Sequence, residues 1–224
     1  MELQKNEQEK EQREAQDQAQ DQKHDAKGEI GQHGNKGHHD NSGQGQIHVY
    51  TGDGKGKTTA SVGLIVRASG AGFESVFLQF DKGSEAEDFY CERKILRTLK
   101  NVHVEPTGKI RMMPNGQFRF TNSPPDFEEA KRGLKLANEF ITSNKYQLIV
   151  LDEILSSIMT KLVTEQDVLD LLDAYEASGR NFDLVLTGRA LPESIKVRAD
   201  LVTEMKMLKH YFTKGLPARK GIEF

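Results

Sequence analysis

One local pattern constrains this chain more than any other. A short β-branched run, Ile47–Thr51, is followed by Gly52-Asp53-Gly54-Lys55-Gly56-Lys57-Thr58-Thr59 and then by a helix-forming stretch over 58–69. A helix that starts directly after a strand leaves its first backbone N–H groups unpaired and aimed at one point. That point is an anion cradle, strengthened by the helix dipole. Glycines at alternate positions let the backbone approach a phosphate closely, Lys57 can neutralise its charge, and the Thr58 hydroxyl can ligate Mg2+. The generic phosphate-loop pattern is G-x-x-x-x-G-K-[S/T], and in this chain Thr51 stands at its first position. The pattern demands a strand–loop–helix unit at the carboxyl edge of a sheet.

The rest of the chain repeats the alternation that such a unit requires. Strands are predicted at 75–80, 102–105, 147–151 and 182–186, with a last one near Leu201–Glu204. Helices are predicted at 85–100, with Phe89, Ile95, Leu96 and Leu99 inward, and at 164–177, closed by Gly179. A short helix follows Pro192, and Ser123 caps a further helix begun by Pro124 and Pro125. Segment 106–123 reads as a long loop. Alternating strands and helices imply parallel pairing with right-handed crossovers. The fold class is therefore α/β: a P-loop (RecA-like) open, mainly parallel sheet with helices on both faces, preceded by a polar N-terminal tail.

Composition separates that tail from the body. Residues 1–45 contain no aromatic residue and only six apolar ones, with six Lys or Arg against ten Asp or Glu. Such a segment buries almost nothing, so it is either a solvated helix or disordered. Sparse His33, His38 and His39 among glycines read as a linker. Residues 46–224 form the folded nucleotide-binding domain, with 25 basic and 24 acidic residues. Near-neutrality argues against a nucleic-acid partner. The single cysteine, Cys91, excludes an intramolecular disulfide framework and a cysteine-ligated metal cluster. No apolar run reaches membrane-spanning length and the amino terminus has no signal-like stretch, so the expected location is the cytoplasm.

A second motif supports the first. Leu148-Ile149-Val150-Leu151 is wholly apolar, as a strand covered on both faces must be, and it delivers Asp152-Glu153 at its carboxyl end. Phosphate-loop proteins need an acidic group there for the Mg2+ shell. The same pair can also serve as a helix N-cap. Arg189, after the 182–186 strand, and Lys82, after the 75–80 strand, are either phosphate contacts or solvated surface cations. Chemistry alone leaves the fate of the nucleotide open, because Glu153 could polarise a water for simple hydrolysis.

The wording of these segments resembles the P-loop class of corrinoid adenosyltransferases, also called cob(I)alamin or cob(I)yrinic acid a,c-diamide adenosyltransferases. The likeness rests on Tyr50-Thr51-Gly52-Asp53-Gly54-Lys55-Gly56-Lys57-Thr58-Thr59-Ala60, Leu78-Gln79-Phe80-Asp81-Lys82-Gly83 and Val150-Leu151-Asp152-Glu153. It continues through Leu186-Thr187-Gly188-Arg189, Ala199-Asp200-Leu201-Val202-Thr203-Glu204-Met205, Lys209-His210-Tyr211-Phe212 and Lys220-Gly221-Ile222-Glu223-Phe224. The order and spacing hold over about 47–224, and the family wording accounts for Thr51.

The resemblance implies transfer of the 5′-deoxyadenosyl group of ATP to the Co(I) of a reduced corrinoid, with triphosphate leaving, in adenosylcobalamin synthesis or salvage. Co(I) is a strong nucleophile, so the protein must align, stabilise leaving charge and shield rather than run acid–base chemistry. In the family the nucleotide lies in the loop in a reversed sense, exposing the ribose carbon. Carried over, Lys57, Thr58 and Glu153 are the catalytic set. Gly52, Asp53, Gly54, Lys55, Gly56, Lys57, Thr58, Thr59 and Arg189 bind ATP, and Thr58, Glu153 and Asp152 hold Mg2+ (or Mn2+). Family members place an aromatic cluster that includes Trp against the corrinoid. This chain has no Trp and offers Phe118 and Phe120 instead. A homodimer, a reductase or flavodoxin-like electron donor, and a tail that caps the partner's site are further implications. The other reading is a P-loop ATPase or nucleotide-dependent binding protein without alkyl transfer.

Overall fold

The computed structural model describes residues 44–83, 89–111, 119 and 121–224. Phe118, Phe120 and the tail to residue 43 lie outside these described residues. The elements, in order, are β1 (Ile47–Thr51), α1 (Lys57–Gly70), β2 (Ser75–Gln79), α2 (Cys91–Leu96), β3 (Val102–Pro106) and α3 (Pro124–Thr142). They continue as β4 (Leu148–Asp152), α4 (Ile154–Met159), α5 (Glu165–Ala177), β5 (Asp183–Thr187), α6 (Glu193–Lys196) and β6 (Leu201–Glu204), with a final 3-10 turn at Tyr211–Lys214. The sheet has the order β3-β2-β4-β5-β1-β6, and every pairing is parallel.

Alternation along the strands builds two cores. In β4, Ile149 and Leu151 join Val76, Leu78, Leu184 and Leu186 against α3 and α5. Leu148 and Val150 face the other way and pack with Phe77, Val185, Ile65 and Leu96. Chain direction fixes which helix covers which face. From β1 the strands progress toward the β3 edge, and from β3 they return past β1 to β6. Right-handed crossovers therefore send α1 and α2 to one face and α3, α5 and α6 to the other. β1 and β5 release their chains to opposite faces, and so do β2 and β4. The carboxyl ends of these four strands border the crevices where ligands bind in open α/β sheets.

Local signals set most boundaries. Ser123 and Asp126 form a reciprocal capping box at α3, and Thr164 with Asp167 does the same at α5. The helix expected over 85–100 is realised within the described residues as only Cys91–Leu96. Fewer than two turns cannot present a defined stripe. Leu96 is buried, whereas Ile95, expected to face inward, is 62% exposed. The chain turns at 97–101, where Asn101 ties back to Ser69 and Phe73 just before β3. Among the described residues no helix is long and apolar enough to cross a membrane.

Candidate active site

The loop after β1 is shaped by two glycines in backbone conformations that favour glycine, Gly52 at φ 103° and Gly56 at φ 123°. Its outer side rests on the segment after β6. Gly54 N donates to Met205 O at 2.7 Å, and a Cβ on Gly54 would lie 2.5 Å from that same oxygen. Asp53 is drawn into this support, its carboxylate accepting from Met207 N at 3.1 Å. The Lys57 ammonium donates to Gly52 O (2.7 Å) and Gly54 O (2.8 Å), and burial holds its pKa below the usual lysine range.

Lys55 turns toward the carboxyl terminus. Its ammonium meets Glu223 at 2.8 Å, Ile222 O at 2.6 Å and the Tyr211 hydroxyl at 3.4 Å. Phe224 stacks on Phe89, with centroids 4.7 Å apart and planes 9° from parallel. The last residues of the chain thus form a wall facing the loop. Together they enclose a cavity of about 850 Å³. Its lining combines the polar Lys57, Thr58, Lys82, Glu153 and Arg189 with the apolar Ile95, Met207, Phe212, Ile222 and Phe224.

The acidic end is tightly organised. Asp152 is wholly buried, yet it receives Thr58 Oγ1 at 3.0 Å, Thr187 Oγ1 at 2.8 Å and Gln79 Nε2 at 3.3 Å. A hydroxyl carries one proton, and Thr58 spends its proton on Asp152. Its lone pairs are therefore free to face a cation. The Thr187 hydroxyl also accepts from Glu153 N at 2.9 Å, so one side chain orients both acidic residues. Glu153 does stand at the N-cap position of α4, but in a left-handed conformation (φ 64°) and without a side-chain cap bond. That backbone state costs on the order of 1–3 kcal/mol for a residue other than glycine. The Glu153 carboxylate lies 3.8 Å from Lys82 Nζ.

Charge follows the same layout. Burial pushes the Asp152 carboxyl up, with Lys82 opposing. Burial also pushes Glu153 up, but Lys82, Ser156, Lys57 and Arg189 outweigh it and hold that carboxyl below its ordinary range. The Lys82 ammonium is stabilised by Glu153 and Asp152 despite its own burial. One hydroxyl and two carboxylates, all hard oxygen donors, suit a Mg2+ ion that draws its other ligands from phosphates and water.

Of the residues expected from sequence, 53–59, Glu153 and Arg189 border this one cavity, with differences in role, and Phe118 and Phe120 lie outside the described residues. Thr58, Asp152 and Glu153 converge at the strand ends. Arg189 lines the cavity, its backbone N–H bound to Ser156 Oγ at 3.0 Å. Asp53 and Lys55 line it too, while their charged groups are engaged by the chain's own carboxyl-terminal third. Sequence alone assigns no role to Thr187, Gln79, Tyr90 or Glu223, although Thr187, Gln79 and Glu223 stand within the stretches that carry the family resemblance. A polar residue ending an apolar strand was the available signal for Thr187 and Gln79.

The family model of the ATP:corrinoid adenosyltransferases BtuR/CobO/CobP matches residues 43–224. A corrinoid adenosyltransferase of Sinorhizobium sp is 31% identical over 182 residues, covering 81% of each chain. One from Pseudomonas aeruginosa is 30% identical over 183 residues, 81% of this chain and 84% of the other. The corrinoid adenosyltransferase CobA of Salmonella typhimurium is 29% identical over 183 residues, 81% of this chain and 86% of its own.

Proposed function

We propose that this chain, which belongs to the ATP:corrinoid adenosyltransferase family, holds the triphosphate of ATP on residues 52–59 and presents the ribose C5′ carbon across the cavity to a corrinoid. The enzyme carries out ATP-dependent adenosyl transfer to corrinoids in cobalamin biosynthesis or salvage. In the step, the electron pair of Co(I) forms the Co–C5′ bond while the C5′–O5′ bond breaks. The displaced pair leaves on triphosphate, and cobalt ends formally as Co(III).

The observation that carries this reading is the mixed lining of the cavity, where cations and hard oxygen donors meet apolar side chains. Lys57, with Arg189, neutralises the charge that grows on the departing triphosphate. Thr58 offers its lone pairs, Asp152 fixes the Thr58 hydroxyl, and Glu153 lies beside Lys82 at the same end. Mg2+ (or Mn2+), when bound, screens and orients the triphosphate. Ile95, Phe212, Ile222 and Phe224 offer a dry surface that keeps water from a flat macrocycle and its reduced metal. Phe118 and Phe120 are assigned to corrinoid contact on the family resemblance. The working unit is residues 46–224 behind a polar tail, a cytoplasmic homodimer served by a reductase or a flavodoxin-like donor.

The test is an anaerobic absorbance assay with chemically reduced corrinoid, MgATP and enzyme. Loss of the Co(I) band, a light-sensitive adenosyl product and stoichiometric triphosphate are expected, all sharply reduced in Lys57→Ala. Persistence of Co(I) with several corrinoids, alongside normal ATP binding, would overturn the reading.

A further inference from the structure

Behind the acidic end lies a charged side chain that never reaches the cavity. Arg93 of α2 is 1% exposed and is the largest fully buried side chain among the described residues. Its guanidinium lies over the Tyr90 ring at 4.5 Å, donates from Nη2 to Lys82 O at 2.7 Å, and donates from Nε to Gln79 Oε1 at 2.6 Å. Gln79 is wholly buried at the end of β2, in register with Asp152 of β4. Its amino group donates to Asp152 Oδ2 at 3.3 Å and toward Glu92 Oε1 at 3.4 Å.

A carboxamide has an acceptor at one corner and donors at the other, and its two orientations have nearly the same shape. The guanidinium on one corner and the two carboxylates on the other distinguish them. With Oε1 held by Arg93, the amino group must face the two carboxylates. The flipped amide would set its amino group against the guanidinium and its oxygen against Asp152 and Glu92. Arg93 thereby anchors the orientation that gives Asp152 its third donor. Asp152 in turn receives the Thr58 proton, leaving the Thr58 lone pairs toward the cavity.

We propose that Arg93 and Gln79 are positioning residues for the metal–nucleotide end of the site, acting in series through Asp152 on Thr58. This inference rests on the reading of Thr58 and Asp152 as that end. Neither residue touches substrate. Outer partners of this kind are worth about 10–100-fold in metal affinity. A plain anchoring role, with Arg93 merely pinning α2 to β2, would leave metal affinity untouched in any variant that folds.

The measurement is Mn2+ binding to the full chain in the presence of ATP, followed by electron paramagnetic resonance, with ATP binding in EDTA and thermal melting in parallel. Arg93→Lys keeps the buried charge but cannot bond both Gln79 Oε1 and Lys82 O in the fork geometry of a guanidinium. Gln79→Met keeps shape and removes the donor. Each is expected to weaken Mn2+ about tenfold, with ATP binding in EDTA unchanged. The double variant is expected to be no weaker than Gln79→Met, because groups acting in series do not add.

Unchanged Mn2+ affinity in folded single variants, additive losses in the double, or an equal fall of ATP binding in EDTA would each overturn the proposal. Thr58→Val separates this from failure of the parent reading. If Thr58→Val also leaves Mn2+ affinity unchanged, the metal end is elsewhere. If it weakens Mn2+ while the other variants do not, only the positioning role falls.

Discussion

Asp126→Asn is the substitution whose consequence can be worked most fully from the structure. The Asp126 side chain is fully buried at the first turn of α3, and it accepts four hydrogen bonds. Two come from Ser123, N at 2.7 Å and Oγ at 2.6 Å, and two from Arg119, Nη1 at 2.6 Å and Nη2 at 2.8 Å. The Arg119 bonds, followed by those of Ser123, hold the carboxyl well below the usual range against its burial. With its oxygen in the Oδ2 place, asparagine keeps three of the four bonds, turns an amino group toward Arg119 Nη2 in place of the fourth, and loses all of the ionic character. One charge-assisted bond lost outright at about 1.5–3 kcal/mol, together with the weakening of the other three and with a discount because Arg119 retains partial solvent access, puts the loss at about 3 kcal/mol at pH 7. For a chain of this size that lowers Tm by about 6–12 °C.

The sign of the pH dependence follows from the direction of the shift. A depressed carboxylate stabilises the fold fully above its unfolded pKa of about 3.9. That contribution is lost as pH falls through the lower folded value. The wild type–variant difference should therefore be constant from pH 7 to about 5 and shrink progressively below about pH 4. Urea unfolding at a series of pH values measures it. A difference below about 1 kcal/mol at pH 7, or one that persists undiminished at pH 2–3, would refute the argument. The change also has a functional reach. Arg119 N bonds Arg111 O at 2.8 Å, and Arg111 is paired with Asp81 at the same distance. Loosening this junction, which flanks 112–118, should raise the corrinoid KM and leave ATP binding intact.

Three further outcomes are expected. Thr58→Val, close in shape but lacking the hydroxyl, should weaken Mg2+-dependent ATP binding about 10–100-fold while Thr58→Ser restores it, as read by calorimetric titration. Gly188→Ala would bring a Cβ within 2.4 Å of Ser156 N at a backbone φ of 143°, displacing α4 and Glu153 with it. A stability loss of about 2–4 kcal/mol in denaturant titration is expected, with ATP binding impaired even in the folded fraction. Phe224→Ala removes the stack on Phe89 and part of the apolar wall. It should raise the corrinoid KM about tenfold with little change in ATP affinity, since a buried Phe is worth roughly 1.5–3 kcal/mol.

What was legible in the sequence was whatever has local causes. Glycines, a β-branched strand and a helix start define the loop at 52–59 without help from elsewhere. Apolar runs marked β4 and β5 but stopped one residue early, at Leu151 and Leu186. The ladders run on to Asp152 and Thr187, two polar residues buried within the strands and bonded to each other at 2.8 Å. Hydrophobic patterning reports burial among apolar neighbours, so it ends where the site begins. The same reason hid Gln79 and Arg93. Their bond spans 14 residues, Gln79 reaches Asp152 across 73, and Lys55 meets Glu223 across 168. Nothing near Arg93 in the chain signals its burial, because only the assembled sheet offers it an acceptor and an aromatic face. The short α2 belongs to this group, placed by the bonds of Arg93 rather than by any periodicity of its own. Sites built at strand ends draw each residue from a different segment. Their first-contact residues can carry a motif, while the residues that orient them are specified only by the fold.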